Sequence, residues 1–244
     1  MPHIIELRRV RFSVQDRVLV RGLSYRFEEG QVAALVGPSG GGKSTVLKLA
    51  AGLCIPDRGE VLFRGEPIGG MSRGENLAFR REAAFVFQNA ALWANQSLFQ
   101  ILELPLRVHF PSMGAAERRR RVEEEAAAVG YGRDLGVRPA RLSMGEQKLI
   151  AFARAMMCGP RLLFLDEWTE SLDEKASRRL VGAVRRMKGE GATVILVSHD
   201  PRVIRELADV VLLVSDGEIA SRLTGEEISS GEDIERLMEM GVAQ

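Results

Sequence analysis

Apolar and polar positions change rhythm several times along this chain. From Ile4 to Phe27 they alternate around a turn near Gln15-Asp16, the two-residue period of antiparallel strands with one wet face. Val32-Ala33-Ala34-Leu35-Val36 is continuous instead, as in a strand covered on both sides. Ser44 to Gly52 then spaces Val46, Leu47, Leu49 and Ala50 as the packed face of a helix. Val61-Leu62-Phe63 before Arg64-Gly65 predicts a hairpin edge, and Ala84-Phe85-Val86-Phe87 a short buried strand. From Asn89 to Met157 the texture is helical, including a helix over 115–129.

After Pro160, strands at 162–165, 193–197 and 210–214 alternate with helices at 174–188 and 201–207. Buried strands alternating with helices predict a parallel sheet covered on both faces. The expected organisation is one domain, with a core made of residues 1–88 and 158–244 and a helical insertion over 89–157. The tail from Ser221 to Gln244 is expected to add one helix, Glu232 to Met240.

A length of 244 residues and 45% hydrophobic content suit such a domain with a substantial core. Basic and acidic residues balance at 34 and 33, which gives no sign of a nucleic-acid partner. The Arg118 to Arg121 run is followed by Glu123, Glu124 and Glu125 at helical spacing, a self-paired solvated face. Cys54 and Cys158 lack metal spacing and read as core thiols in a reducing compartment. Met1 to Arg11 holds four charged residues without an apolar core, so no signal peptide is expected. Ala83 to Leu102 carries no charge, yet its six Asn, Gln and Ser side chains do not suit a membrane span.

The chemistry concentrates first at Gly37-Pro38-Ser39-Gly40-Gly41-Gly42-Lys43-Ser44-Thr45, which fits G-x-x-x-x-G-K-[ST]. A buried strand precedes it and a helix follows, the context of a phosphate-binding loop. The glycines allow close backbone approach, and successive N–H groups reinforced by the helix N-terminus point at the anion. Lys43 would reach the β- and γ-phosphates of a nucleotide, and the Ser44 hydroxyl would hold Mg²⁺. A second signal is Leu162-Leu163-Phe164-Leu165-Asp166-Glu167, with two carboxylates at the C-terminal end of a strand, where open α/β sheets bind ligands. Asp166 suits Mg²⁺, and Glu167 suits a base that takes a proton from attacking water.

A third signal, Leu142-Ser143-Met144-Gly145-Glu146-Gln147 before a helical run, resembles the L-S-G-G-Q signature of the ATP-binding cassette family. Gln88 after Phe87, Ser171-Leu172-Asp173, and His199 after Val197-Ser198 resemble that family's Q-, D- and H-loops in order and spacing. The resemblance covers Ile4 to about Gly217. It implies an α/β P-loop NTPase (RecA-like) core, an antiparallel β subdomain and an inserted α-helical subdomain. It also implies an ATPase using ATP and Mg²⁺, working as a head-to-tail homodimer. Each ATP would lie between the phosphate loop of one copy and Ser143, Gly145 and Glu146 of the other, with Asp173 in the D-loop. Gln88 would touch Mg²⁺ and the attacking water, and His199 the γ-phosphate. Three positions depart from the family pattern: Val14 where an aromatic stacks on adenine, Met144 for a glycine, and Trp168 for a proline.

The same resemblance implies integral membrane permease subunits as partners, contacting the region from Gln88 to Leu106, and hence a place on the cytoplasmic face of the membrane. Leu92, Trp93, Leu98 and Phe99 give that region an apolar face, equally suited to helix core. Its wording resembles ATPases of Mla-type phospholipid transport, and also those of lipoprotein release and macrolide export. A nucleotide-switched scaffold for a division or repair complex is the alternative; a small-molecule kinase would not need the Ser143 signature.

Overall fold

The computed structural model describes residues 2–229, so the helix expected over 232–240 lies outside the described residues. Strands β1 (His3–Val14) and β2 (Arg17–Glu28) pair antiparallel around Gln15 and Asp16, whose φ values of 47° and 64° make the turn. After them come β3 (Val32–Val36) and α1 (Lys43–Ala50), then β4 (Arg58–Phe63) and β5 (Glu66–Pro67), the expected hairpin edge. Helix α2 (Arg73–Glu82) leads into β6 (Ala83–Val86). Helices α3 (Leu98–His109), α4 (Ala115–Ala128) and α5 (Met144–Met156) form the insertion. The chain then alternates through β7 (Leu162–Asp166), α6 (Glu174–Gly189), β8 (Thr193–Val197), α7 (Pro201–Leu207) and β9 (Val210–Ser215). It turns back through β10 (Glu218–Thr224) into the short α8 (Glu226–Ser229).

The central sheet has the order β10-β9-β3-β8-β7-β6, parallel except for the antiparallel β10. Its middle strands are buried along their whole length, which explains their unbroken apolar runs. Alternate residues go to opposite faces. Ala34, Val36, Leu163 and Leu165 pack with α3 to α7, while Ala33, Leu35, Leu162 and Phe164 pack with α1 and the antiparallel sheet. Each fully buried Leu or Val contributes about 1.5–3 kcal/mol. The three helices of the insertion therefore share one face of the nucleotide-binding core, and the β2-β1-β4-β5 sheet covers the other.

Four local expectations differ from the structure. Residues 89–97 are irregular rather than helical, because Ala90 and Ala91 hold φ of 60° and 47° and the helix waits for the Ser97 cap. Helix α2 is additional; Ser72 and Glu75 form a capping box at its start, an S-x-x-E signal present in the sequence. The start of the C-terminal tail is strand β10, paired on β9. Cys54 and Cys158 are free and half-buried rather than core, and burial pushes the Cys158 thiol up. Two α4 arginines behave as expected, Arg120 pairing with Glu117 and Glu124 and Arg119 with Glu123, whereas Arg118 turns inward to pair with Glu103 on α3. No helix among the described residues is long and apolar enough to cross a membrane.

Candidate active site

The phosphate loop links the C-terminal end of β3 to α1, at the edge where β7 and β8 also end. Its shape needs glycine at two places in particular. Gly37 has φ of 136°, and a Cβ there would lie 2.2 Å from the Val214 carbonyl oxygen. Gly42, with φ of 102°, is the N-cap of α1, so the helix starts at Lys43 and no side chain covers its first N–H groups. Within this loop Pro38, Ser39, Gly40 and Gly41 form the outer bend, held by Gly41 N–H donating to Pro38 O at 3.1 Å. Thr45 follows Ser44 in the first turn of the helix.

Lys43 is 6% exposed, and its ammonium donates to the carbonyls of Gly37 and Pro38, both at 2.8 Å. Burial pushes its pKa down, and Glu167 and Asp166 pull it back up. Lys43 thus holds a cation at the mouth of the loop through backbone contacts that an anion can replace. The Ser44 hydroxyl donates to Asp166 Oδ1 at 2.8 Å, which brings two metal-competent oxygens together from α1 and the end of β7. A hydroxyl and one carboxylate, completed by phosphate oxygens and water, form the donor set that Mg²⁺ takes beside a nucleotide. The residues present fit such an ion.

Glu167 follows on an abrupt turn, with φ of 45° and its N–H bonded to Val197 O at 3.1 Å. Its carboxylate is nearly buried, and Oε1 has no hydrogen-bond partner among the described residues. His199 Nε2 lies 3.2 Å from that oxygen, close enough for charge attraction but out of hydrogen-bond alignment. Burial pushes the Glu167 pKa up, and the neighbouring His199 opposes the rise. A buried carboxylate with an unclaimed oxygen beside a phosphate loop can accept a proton from water.

The other sequence-predicted residues are more dispersed. Gln88 is exposed at the end of β6, and its amide donates to Glu170 Oε2 at 3.2 Å, not to the Ser44–Asp166 pair. Ser143 caps α5. It forms a capping box with Glu146, whose carboxylate also pairs with Arg133 at 2.7 Å and is held below its ordinary pKa, chiefly by the Ser143 N–H. Gly145 faces the Ser171 carbonyl of the same chain, 3.2 Å from where a Cβ would stand, and Met144 points outward at 52% exposure. The signature segment therefore makes its polar contacts away from the phosphate loop of its own chain. Asp173 caps α6, accepting from Ala176 N–H at 2.7 Å.

Two residues that sequence reading did not single out belong to this region. Glu170 receives Gln88, and Lys148, only 2% exposed, donates to the Glu167 carbonyl at 2.8 Å. A charged residue on the apolar face of an amphipathic run was the available signal for Lys148. Trp168, fully buried, fills the core beneath the turn, and its indole N–H has no partner among the described residues.

Residues 20–170 match the protein family described as ABC transporter. The chain is 34% identical over 215 residues to a macrolide export ATP-binding/permease protein MacB of Marinobacter nauticus, covering 88% of this chain but 33% of that protein. It thus spans about a third of the length of that relative. It is 30% identical over 233 residues to the intermembrane phospholipid transport ATP-binding protein MlaF of Haemophilus influenzae, covering 95% of this chain and 88% of that one. In structure it resembles the dimeric ATP-binding cassette MJ0796 bound to ADP and phosphate, with a TM-score of 0.83 and 27% identity over 91% of this chain and 98% of that one. Phosphate loop, strand-end carboxylates and matching sequence agree, and the chain belongs to the ABC transporter ATPase family.

Proposed function

We propose that this chain is an ATP-hydrolysing subunit that dimerises around ATP and energises transport by separate membrane permease subunits. The observation carrying the proposal is the buried, unclaimed Oε1 of Glu167, set close to the Ser44–Asp166 pair and the phosphate loop. ATP binds with its phosphates in the backbone cradle of residues 37–45, and Lys43 exchanges its carbonyl partners for phosphate oxygens. Ser44 and Asp166, with Gln88 joining, would hold a Mg²⁺ ion, which would supply positive charge to offset that of the phosphates. Glu167 takes a proton from water while the water oxygen bonds to the γ-phosphorus and the bond from that phosphorus to the β–γ bridging oxygen breaks, giving ADP and phosphate. His199 orients Glu167 and the γ-phosphate.

Ser143, Gly145 and Glu146 have no role at the phosphate loop of their own chain, which supports their use by a second copy. The N-terminus of α5 and the Ser143 hydroxyl would meet the γ-phosphate across the dimer, with Asp173 beside the seam. Hydrolysis then removes charge that holds the interface closed.

The permease surface is a groove of about 550 Å³ lined by Phe85, Phe87, Trp93, Leu104, Pro105 and Val108, with Arg81 and Arg154 at its sides. Trp93 is 45% exposed there under the Arg154 guanidinium. This mixture of aromatic and arginine anchors suits a helix presented by a partner on the cytoplasmic face of the membrane. The groove falls within and beside the region expected from sequence. A phospholipid or other hydrophobic molecule is the cargo we favour, on the likeness to the MlaF protein.

Glu167→Gln tests the reading. The variant should bind ATP normally, hydrolyse it at least about a hundredfold more slowly, and run as a dimer on sizing in ATP. Turnover at the unaltered rate would remove Glu167 from the base role.

A further inference from the structure

Lys148 is a buried cation that the mechanism above leaves unused. It lies on α5, the helix that Ser143 caps, and its side chain crosses to the turn after β7. Desolvating an ammonium costs several kcal/mol, so an uncharged residue would be favoured at a position that only needed filling. Here the charge has two partners. Nζ donates to the Glu167 carbonyl at 2.8 Å and lies 3.7 Å from Glu170 Oε2.

The position of the Glu167 peptide explains the value of that contact. Its φ of 45° holds a residue that carries a Cβ in the left-handed region, a strained backbone conformation that needs outside restraint. The Glu167 N–H is tied to Val197 on β8, and its carbonyl accepts both the Glu170 N–H at 3.2 Å and the Lys148 ammonium. Residues on either side of the peptide thus set the direction in which the carboxylate leaves the turn. Among the described residues, only the ammonium reaches this carbonyl from another element of the fold. Glu170 carries the connection outward, because the same Oε2 that faces Lys148 accepts the Gln88 amide at 3.2 Å.

We propose that Lys148 is a positioning residue for hydrolysis: it fixes the Glu167 peptide to the signature helix and, through Glu170, to Gln88. The inference rests on Glu167 being the base. Signature segment, base and Gln88 loop are then joined by three polar contacts, so a shift of α5 or of the loop alters the aim of the carboxylate.

The test uses the whole chain, steady-state ATP hydrolysis, binding of a fluorescent ATP analogue, and thermal melting. Lys148→Met should lower kcat by about tenfold or more, with KM and analogue affinity within about threefold of the parent. Its melting temperature should hold or rise, since the methionine needs no desolvated charge. Lys148→Arg, which restores a donor, should recover at least about a third of the lost rate. Glu170→Gln should slow hydrolysis in the parent but add less than about twofold in the Lys148→Met background. Parental kcat in Lys148→Met would overturn the proposal. So would equal loss in the Met and Arg variants with falling melting temperatures, the pattern of a packing residue. If Lys148→Met does not fold, Lys148→Arg and Glu170→Gln decide: parental kcat in Glu170→Gln overturns the link, and reduced kcat at parental affinity supports it. A Glu167→Gln variant with normal turnover would instead remove the base, a failure distinguishable from loss of the Lys148 effect.

Discussion

The Ser44 hydroxyl donates to Asp166 Oδ1 at 2.8 Å, joining the start of α1 to the end of β7 across 122 positions of sequence. Neither oxygen can be positioned by its own segment alone. The parallel register β3-β8-β7 brings both strand ends to the same edge of the sheet. If this pair holds Mg²⁺, Asp166→Asn should lower hydrolysis at least about a hundredfold. Melting curves with and without Mg-ATP check the cause: the nucleotide-dependent rise should shrink in the variant.

Lys43 satisfies its ammonium on two backbone carbonyls while it waits for phosphate. Removing it leaves those carbonyls without their donor and deletes the only buried cation of the loop. Lys43→Ala should weaken ATP binding by about tenfold or more, since charge-assisted bonds contribute about 1.5–3 kcal/mol each. Titration with a fluorescent ATP analogue reads the change, and normal affinity would exclude Lys43 from the site.

Trp168 is wholly buried where the turn after β7 meets the α-helical face of the core. Trp168→Ala should cost about 3–5 kcal/mol by opening a cavity. Trp168→Phe should cost much less, because it keeps a ring and discards an indole N–H that has no partner among the described residues. Urea midpoints of the two variants separate these effects.

Glu6 lies between Arg8 and Arg26, each 2.9 Å away, and their guanidinium groups lower its pKa from 4.5 to about 2, with Arg8 foremost. A depressed carboxylate stabilises the fold above its unfolded value. That contribution is complete above about 4.5 and disappears as the pH falls toward about 2. Urea midpoints should therefore drop across this window, and Glu6→Gln should flatten the drop.

Trp93 is exposed in the groove proposed for the permease. Trp93→Glu should leave soluble ATP hydrolysis within about twofold of the parent while abolishing co-purification with membrane subunits. Persistent co-purification would move the contact elsewhere.

Local chemistry made much of the site legible before folding. A glycine loop between an apolar strand and a helix has few other uses, and Asp166 and Glu167 end an unbroken apolar run. The central strands were equally readable, because burial on both faces leaves β3, β7 and β8 with no polar residue between their first and last positions. Helix α2 and strand β10 were less so: α2 is mostly polar, and β10 pairs along one edge with mainly exposed residues. Packing decided what periodicity could not. Gln88 reaches Glu170 because β6 and β7 are neighbours, and Lys148 reaches the Glu167 carbonyl because α5 packs beneath the same sheet edge. Those contacts join residues far apart in the chain, and only the closed tertiary structure brings their atoms within hydrogen-bond range.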